Sequence, residues 1–317
     1  MKKNIWMDGV FGVVVGDALG CPVQFQCREI VADHPVTAMR GYGTFDLPAG
    51  SWTDDSSLTL ALLDSIVTKG RIDLNHIMGN FADWLDHGAY TPYGYAYDIG
   101  QGTMQAIRAY KRTGNPLECG SDSVQNNGNG SLMRILPACL YCYRKGLNDS
   151  DATRVIHAVG SLTHAHIRAG IACGLYWFMV KAVLDGKGDL TERLQAGLDH
   201  GFAWYQTEPE YMNELACYSR LHDLEQFVRE PADSIRSNGY VVHTIEAAVW
   251  SLITTGSFEN ALLKAVNLGY DTDTVAAVAG GLAGLFYGYD AIPAAWLTEI
   301  KKREWMEKLC ESANAAL

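Results

Sequence analysis

Positive charge is scarce in this sequence. Lys and Arg number 25 against 36 Asp and Glu in 317 residues, so the formal net charge is −11. The cations are also scattered along the chain and form no basic stripe of the kind that binds a nucleic-acid backbone. We therefore expect no nucleic-acid backbone partner. A small phosphorylated ligand remains compatible with this composition, because backbone amides bind phosphate without basic side chains.

Long uncharged apolar runs are also missing. No segment reaches the roughly 20 apolar residues that a membrane-spanning helix needs, so we expect no membrane span. Residues 1–20 imitate a signal peptide, but Asp8 and Asp17 interrupt the apolar stretch and no cleavage site follows. Of eight scattered cysteines, only Cys139 and Cys142 have redox or metal-site spacing. We interpret this pair as one face of a buried helix rather than a redox motif, and expect a reduced, cytoplasmic protein.

Strand patterns are rare, whereas helical periodicity that ends at glycine recurs along the chain. The segments predicted as helices include 54–69, 73–87, 101–112, 131–145, 149–162, 166–185, 243–254, 257–268, 272–287 and 295–315. The predicted long loops are 88–99, 113–130 and 206–240. No internal repeat, charge block or Pro/Ser-rich linker divides the chain. We predict an all-α fold with a single compact domain over residues 1–317.

Two acidic clusters open predicted helices without a local cation. The first is "SWTDDSSLTLALL" (51–63), in which Asp54 and Asp55 are adjacent, and the second is "DTDT" (271–274). Capping accounts for one carboxylate in each cluster, because Asp is a preferred cap and acids complement the helix dipole. The second carboxylate in each cluster exceeds what a cap requires.

An oxygen-rich metal site is the alternative to capping. Mg²⁺ and Mn²⁺ prefer carboxylate and hydroxyl ligands and need no His or Cys. Converging aspartates repel one another unless protons or cations offset their charge. A metal site requires the two clusters, which lie roughly 220 residues apart in the sequence, to meet in space.

Three further polar segments have both a structural and a functional interpretation. "QNNGNGSLMRILP" (125–137) is typical of a glycine turn, or of a nest of backbone N–H groups that binds pyrophosphate. His164 and His166 of "LTHAH" are two residues apart, so they do not share one helix face. Asp98 ends a Tyr-rich loop and is either a helix cap or a functional acid.

Together these motifs resemble the ADP-ribosylglycohydrolase family. The matching pieces are "GDALG" (16–20), "WTDDS" (52–56), "DIG" (98–100), "GNGSLMR" (128–134), "LTHAH" (162–166) and "DTDT" (271–274). Their order and spacing across nearly the whole chain make the resemblance specific. It implies an all-α fold, a centre of two divalent ions (Mg²⁺ or Mn²⁺), and hydrolysis of the glycosidic bond between ADP-ribose and an acceptor, preferentially an arginine of a protein.

The resemblance also implies roles for individual residues. The expected metal ligands are Thr53, Asp54, Asp55, Asp271, Asp273 and Thr274. The residues expected to bind ADP-ribose are Gly100, Asn126, Asn127, Gly128, Asn129, Gly130, Ser131, Met133 and His164. Asp55 and Asp98 are the expected catalytic residues, with Asp98 as general base or as anchor for a guanidinium leaving group. Asp17 is expected to be structural rather than a ligand.

Two positions depart from the family pattern. Gln24 stands where relatives often carry Glu, which disfavours a serine-linked substrate. Tyr270 replaces a usual Gly, so its ring either narrows the pocket or packs outward. The alternative functions are hydrolysis of another ADP-ribosylated substrate (a small metabolite, a nucleotide or a serine linkage) and non-catalytic binding of ADP-ribose. The paired aspartates argue against non-catalytic binding, because a site that has lost its activity has no reason to keep uncompensated charges.

Overall fold

A computed structural model describes residues 4–317, and the regular elements of this part of the chain are all helical. The α-helices are α1 (Ile5–Gly20), α2 (Arg28–Asp33), α3 (Asp54–Lys69), α4 (Leu74–His87), α5 (Gln101–Thr113), α6 (Leu136–Arg144), α7 (Asp149–Ser161), α8 (Ile167–Asp185), α9 (Leu190–Gln206), α10 (Met212–Leu215), α11 (Leu224–Phe227), α12 (Val241–Ile253), α13 (Phe258–Val266), α14 (Thr272–Tyr287), α15 (Ala294–Glu299) and α16 (Arg303–Ala316). The predicted all-α fold is therefore confirmed.

The helix boundaries differ from the prediction in a few places. The segment predicted from 131 becomes helical only at Leu136, where Pro137 suits the first helical turn. The segment 295–315 divides into α15 and α16, since Lys302 between them adopts a left-handed backbone with φ 49°. The predicted loop 206–240 contains the short α10 and α11 as well as several 3₁₀ turns.

The helices α1 and α14 pack against each other at the centre of the fold. A Cβ atom added at Gly12 would lie 2.0 Å from the carbonyl oxygen of Gly280, and one at Gly20 would lie 2.4 Å from Cα of Asp273. No side chain fits in so short a gap, so the glycines let the two backbones touch. This contact places the end of α1 against the first turn of α14.

Two helical segments are long and apolar enough to cross a membrane by length and composition, Ile5–Val23 and Ile167–Asp185. Within the fold, 94% of the first segment and 67% of the second are buried. Their apolar surface is thus covered mainly by other helices of the same chain, as expected of core helices.

The cysteines are free thiols. Cys139 and Cys142 lie on α6 and are fully buried. Their interpretation as one face of a buried helix is confirmed. Burial raises the pKa of the Cys142 thiol to about 12. This thiol is therefore protonated and unreactive at neutral pH.

Candidate active site

The first turn of α3 is capped by Asp17, which belongs to α1. Asp17 Oδ1 accepts a hydrogen bond from the backbone N–H of Thr53 at 2.9 Å. Its Oδ2 accepts from the backbone N–H of Ser56 at 2.9 Å and from the Ser56 hydroxyl at 2.6 Å. Capping therefore comes from another helix, and the expectation that Asp54 or Asp55 caps α3 is wrong.

The second acidic cluster does not cap its own helix either. Asp271 occupies the N-cap position of α14, but its side chain accepts no capping hydrogen bond. Instead, Asp271 Oδ2 accepts a hydrogen bond of 2.6 Å from the side-chain amide of Asn129. That amide also donates to the Thr244 hydroxyl at 2.9 Å, which ties the loop before α6 to α12 and α14.

The two acidic clusters meet although they are far apart in the sequence. The Thr274 hydroxyl lies 3.4 Å from Asp55 Oδ2 and 3.4 Å from Asp271 Oδ1. The Thr53 hydroxyl lies 3.1 Å from the same oxygen of Asp55. Asp17, Asp55 and Asp273 each offer a carboxylate oxygen, and these oxygens all lie within 4.8 Å of one another.

The carboxylates of this cluster are buried and poorly compensated. Burial, reinforced by the neighbouring acids, raises the pKa values of Asp54, Asp55 and Asp273 well above the usual range. Within residues 4–317, no N–H or hydroxyl group donates to either oxygen of Asp273 or to Asp55 Oδ1. Buried polar atoms are normally satisfied, so these carboxylates need either protons or a bound cation to compensate them. They fit a hard divalent cation, whose preferred donors are carboxylate and hydroxyl oxygens.

A cavity of about 430 Å³ opens next to these acids. It is lined by Gln24, Phe25, Asp54, Asp98, Ile99, Gly100, Gln101, Gly102, Thr103, Gln125, Asn126, Gly128, Asn129, Gly130, Met133, His164, Asp271 and Thr274. The N-terminus of α5, where no side chain caps the helix, forms one wall. Free N–H groups at a helix N-terminus bind phosphate oxygens.

Most of the residues predicted to bind substrate line this cavity, but Asn127 and Ser131 do not. The Asn127 side-chain amide donates to the Val124 carbonyl at 2.8 Å, and the Asn127 backbone carbonyl accepts from the backbone N–H of Val241. Ser131 is fully buried, and its hydroxyl faces the thiol of Cys173. Both side chains shape the loop from behind rather than face the cavity.

His164 presents an N–H group to the cavity because of a buried relay. Arg134 Nη2 can only donate, and it donates to the Thr163 hydroxyl at 2.8 Å. The Thr163 hydroxyl lies 2.8 Å from Nδ1 of His164, and we infer that it donates its proton to this nitrogen, because it already accepts from Arg134. Burial and the charge of Arg134 lower the His164 pKa to about 3. The imidazole is therefore neutral, and its remaining proton is on Nε2.

Glycines make room for this imidazole. A Cβ at Gly130 would lie 2.7 Å from His164 Cε1, and one at Gly102 would lie 3.2 Å from Nε2. Side chains at these positions would crowd the ring edge that faces the cavity. The glycines of the loop therefore act here by close approach, as well as by forming turns.

Asp98 faces the cavity from the loop before α5, but it does not cap that helix, since Gly100 occupies the N-cap position. Its backbone is left-handed, with φ 52°. Asp98 Oδ2 accepts a hydrogen bond of 2.7 Å from the side-chain amide of Gln24. Burial raises the Asp98 pKa to about 6, and the bond from Gln24 opposes this shift. Gln24 Oε1 is buried and has no donor, although Gln24 lines the cavity.

Comparison with known proteins identifies the family. Residues 6–317 match the family described as ADP-ribosylglycohydrolase. The chain belongs to this family. It is 31% identical over 304 residues to the ADP-ribosylarginine hydrolase Tri1 of Serratia proteamaculans, covering 95% of this chain and 76% of that protein. It is 32% identical over 291 residues to the ADP-ribosyl-[dinitrogen reductase] glycohydrolase of Rhodospirillum rubrum, covering 91% and 87% respectively.

A solved structure agrees with these relatives. The chain superimposes on an ADP-ribosylglycohydrolase-related protein complex with a TM-score of 0.78 and 30% sequence identity. The match covers 99% of this chain and 98% of the other. The protein is thus an ADP-ribosylglycohydrolase in sequence and in fold, and an enzyme of the hydrolase class.

Tyr270 in this glycohydrolase packs outward. The residue has a left-handed backbone with φ 62°, which a glycine adopts without strain. Its carbonyl accepts from the backbone N–H of Phe25, and its own N–H donates to the Gln26 carbonyl. The ring is 44% exposed and lines a neighbouring depression of about 460 Å³ rather than the cavity. The Tyr270 ring therefore does not narrow the cavity.

Several supporting residues of the glycohydrolase site were missed from the sequence. Arg134 and Thr163 lie inside the quoted motifs but received no role, and Ser56 follows the acidic pair directly. Their residue types carry no signal of function, because Ser and Thr are common throughout proteins and the burial of Arg134 cannot be read from the sequence. Thr244 lies more than 100 residues from the loop it binds, so no local pattern indicates it.

Proposed function

We propose that this glycohydrolase releases ADP-ribose from an ADP-ribosylated arginine of a protein, and that two divalent ions, Mg²⁺ or Mn²⁺, support the reaction. The observation that carries the proposal is the position of Asp98. Its carboxylate faces the same cavity as Asp54 and Asp271, and it is held there by Gln24. A sugar bound at the acidic cluster would therefore have its scissile bond within the reach of one more acid.

The residues proposed to hold the ions are Asp54, Asp55, Asp271 and Asp273, together with the hydroxyls of Thr53 and Thr274. Among the described residues, both oxygens of Asp273 and Oδ1 of Asp55 accept no hydrogen bond, which supports this choice. Asp17 is left out, because both of its oxygens already accept hydrogen bonds from α3. When bound, such ions would hold the ribose hydroxyls and lower the pKa of a water.

The rest of the cavity suits the ADP part of the substrate. His164 offers a neutral N–H donor, and the start of α5 offers backbone N–H groups, both of which suit phosphate oxygens. Asn126, Gly128 and Gly130 line the wall between them. Neutral donors bind a diphosphate without placing a cation beside the acidic cluster.

Asp98 is proposed to move the proton of the reaction. A water adds to the anomeric carbon while the bond from that carbon to the guanidine nitrogen breaks. Asp98 takes the proton of the water and passes it to the departing guanidine, so ADP-ribose and arginine are released without net change of charge on the enzyme. The raised pKa of Asp98, about 6, is close to neutral and suits both steps.

Gln24 supports arginine as the leaving group. A guanidinium carries several N–H donors, and the unpartnered Gln24 Oε1 together with Asp98 offers two adjacent acceptors. A serine oxygen has no N–H group to satisfy them. The relative in Serratia proteamaculans is named for ADP-ribosylarginine, and the relative in Rhodospirillum rubrum is named for an ADP-ribosylated protein, dinitrogen reductase.

A substrate panel tests the proposal. Arginine-, serine- and nucleic-acid-linked ADP-ribose would each be incubated with the enzyme, with and without added Mn²⁺ or Mg²⁺. We expect metal-dependent cleavage of the arginine linkage and a loss of at least about 100-fold in kcat for Asp98→Asn. Asp64→Asn is the matched control, because Asp64 binds the Tyr90 hydroxyl away from the cavity. Cleavage of serine linkages alone, or full turnover by Asp98→Asn, would contradict the proposal.

A further inference from the structure

A row of five aromatic rings begins at the mouth of the cavity. Phe25 lines the cavity and is 65% exposed. The ring centroids are 6.3 Å apart for Phe25 and Phe45, 5.4 Å for Phe45 and Tyr97, 5.9 Å for Tyr97 and Tyr95, and 6.3 Å for Tyr95 and Tyr93. These spacings are typical of rings in contact. We call these five residues the aromatic row.

The aromatic row is fixed to the segment that carries the acidic cluster. The Tyr93 hydroxyl is hydrogen-bonded to the Ser51 hydroxyl at 2.7 Å. The Tyr97 hydroxyl donates to the carbonyl of Trp52. Ser51 and Trp52 directly precede Thr53, so the rings are held in place relative to the proposed metal ligands. A surface that is ordered before binding loses little entropy when a partner docks.

Packing within the fold leaves three rings of the row exposed to solvent. Phe25 is 65% exposed, Tyr95 is 52% exposed and Tyr93 is 37% exposed. Contiguous exposed aromatic surface on a soluble protein marks an interaction site. Tyrosine suits such a site, because it offers a large contact area with few rotatable bonds.

The charges around the row favour a basic partner. The segments 41–68 and 72–107, which carry four of the five rings, contain no Lys or Arg. Lys302 approaches from another part of the chain, and its ammonium group is bonded to the Thr91 carbonyl. Asp46 is exposed next to Phe45, and Asp98 follows Tyr97 directly in the chain. Cationic side chains stack favourably on the face of a tyrosine ring.

We propose that the aromatic row binds the polypeptide segment that flanks the modified arginine of the target protein, with a basic side chain of that segment stacked on Tyr95. This inference rests on the proposed function. The cavity accommodates the ADP-ribose, so the polypeptide attached to its arginine end must leave through the mouth, where Phe25 lies. The row continues from this point along the surface and offers the emerging segment a rigid apolar face.

The test compares two substrates that share one scissile bond. One is free ADP-ribosylarginine, and the other is a synthetic peptide with a single ADP-ribosylarginine flanked by lysines. We expect Tyr95→Ala to lower kcat/KM for the peptide about 3- to 10-fold, through KM. The same variant should leave both constants for free ADP-ribosylarginine unchanged. Tyr95→Phe should keep the wild-type values for the peptide, because the ring face is retained.

Two controls isolate the docking effect. Met212→Ala removes a side chain of similar exposure, 49%, on α10, outside the aromatic row, and should change neither substrate. A peptide in which glutamates replace the lysines should lose the difference between wild type and Tyr95→Ala. Equal losses on the peptide and on free ADP-ribosylarginine would assign the row to the ADP-ribose site and overturn the inference, as would an unchanged KM for the peptide.

The outcomes also separate this inference from the proposed function. If the wild-type enzyme cleaves neither form of ADP-ribosylarginine, the proposed function fails and the docking surface fails with it. If the wild type cleaves both forms and Tyr95→Ala leaves the KM for the peptide unchanged, only the docking surface is overturned.

Discussion

The Asp17 carboxylate on α1 accepts two hydrogen bonds from Ser56 in the first turn of α3, one from its backbone N–H at 2.9 Å and one from its hydroxyl at 2.6 Å. A cap that is usually supplied within one helix is here supplied by another. Asp54 and Asp55 are therefore released from capping, and the helix that carries them is positioned by the core helix α1.

Replacement of Asp17 should destabilise the fold and displace the proposed metal ligands. Asp17→Ala removes a buried acceptor from four donors at the start of α3, the N–H and hydroxyl groups of Thr53 and Ser56, so we expect a loss of about 2 kcal/mol or more in the free energy of unfolding. Urea unfolding measures this loss, and calorimetry with Mn²⁺ should show weaker binding. The control Asp73→Ala removes the cap of α4, where Asp73 accepts from the His76 N–H at 3.1 Å. It should cost about 1 kcal/mol and leave Mn²⁺ binding intact.

Neutralising Asp273 should have opposite effects with and without metal. Asp273 is fully buried, and no group in the described part of the chain donates to its oxygens, so its ionisation destabilises the metal-free fold. We expect Asp273→Asn to raise the free energy of unfolding of the metal-free protein by about 1 kcal/mol or more at pH 8. The same variant should lose the increase in Tm that Mn²⁺ produces in the wild type. A full Mn²⁺-dependent increase in the variant would exclude Asp273 as a ligand.

Removing the Thr163 hydroxyl should allow the proton of neutral His164 to occupy either ring nitrogen. Thr163→Val keeps the shape of the side chain but removes the donor to His164 Nδ1. Imidazole ¹⁵N shifts should then change from a pure Nε2–H form to a mixture of tautomers. The KM for ADP-ribosylated substrate should rise about tenfold, because a well-placed donor to phosphate is lost in part. An unchanged tautomer in the variant would show that the relay from Arg134 has no such role.

His157 should make the fold less stable in acid. Burial lowers its pKa to about 4 against a usual 6.5, while Nε2 bonds the Tyr205 hydroxyl at 2.7 Å. Below pH 6.5 the His157 imidazole is protonated in the unfolded chain but stays neutral in the folded protein down to about pH 4. The free energy of unfolding therefore falls as the pH falls. Between about pH 7.5 and pH 5 the wild type should lose about 2 kcal/mol more than His157→Gln does. Unfolding titrations of both proteins at the two pH values measure this difference, and equal losses would contradict the assignment.

Alanine at Gly12 should prevent the packing of α1 on α14. The added Cβ would lie 2.0 Å from the Gly280 carbonyl oxygen, which neither backbone can avoid without moving. We expect Gly12→Ala to be insoluble or to unfold at a much lower Tm. Gly79→Ala is the matched helical control, since no atom lies within 4 Å of a Cβ at Gly79. It should raise the free energy of unfolding by up to about 1 kcal/mol, because alanine is the better helix former.

Much of the candidate site could be recognised from residue types and spacing. The two aspartate clusters are conspicuous because each lacks a cation nearby, and both line the same buried site. The capping partner of α3 could not be predicted, because Asp17 is 36 residues from Thr53 and only the packing of α1 brings them together. The loop "QNNGNGSLMR" was recognised from the sequence as a candidate substrate-binding loop. Which of its side chains face the cavity and which are turned away depends on contacts with α12 and with Cys173.

The helical class and the resemblance to the ADP-ribosylglycohydrolase family follow from the amino-acid sequence, since periodicity, glycine positions and ordered motifs are local properties of the chain. Packing in three dimensions sets which side chains face the cavity, the hydrogen bond between Thr163 and His164, the outward position of Tyr270 and the lack of donors to Asp273 among the described residues. Each of these depends on groups that are distant in the chain and adjacent in space. Hydrogen bonding and desolvation act only at such short distances, so they are set by packing and not by the order of residues.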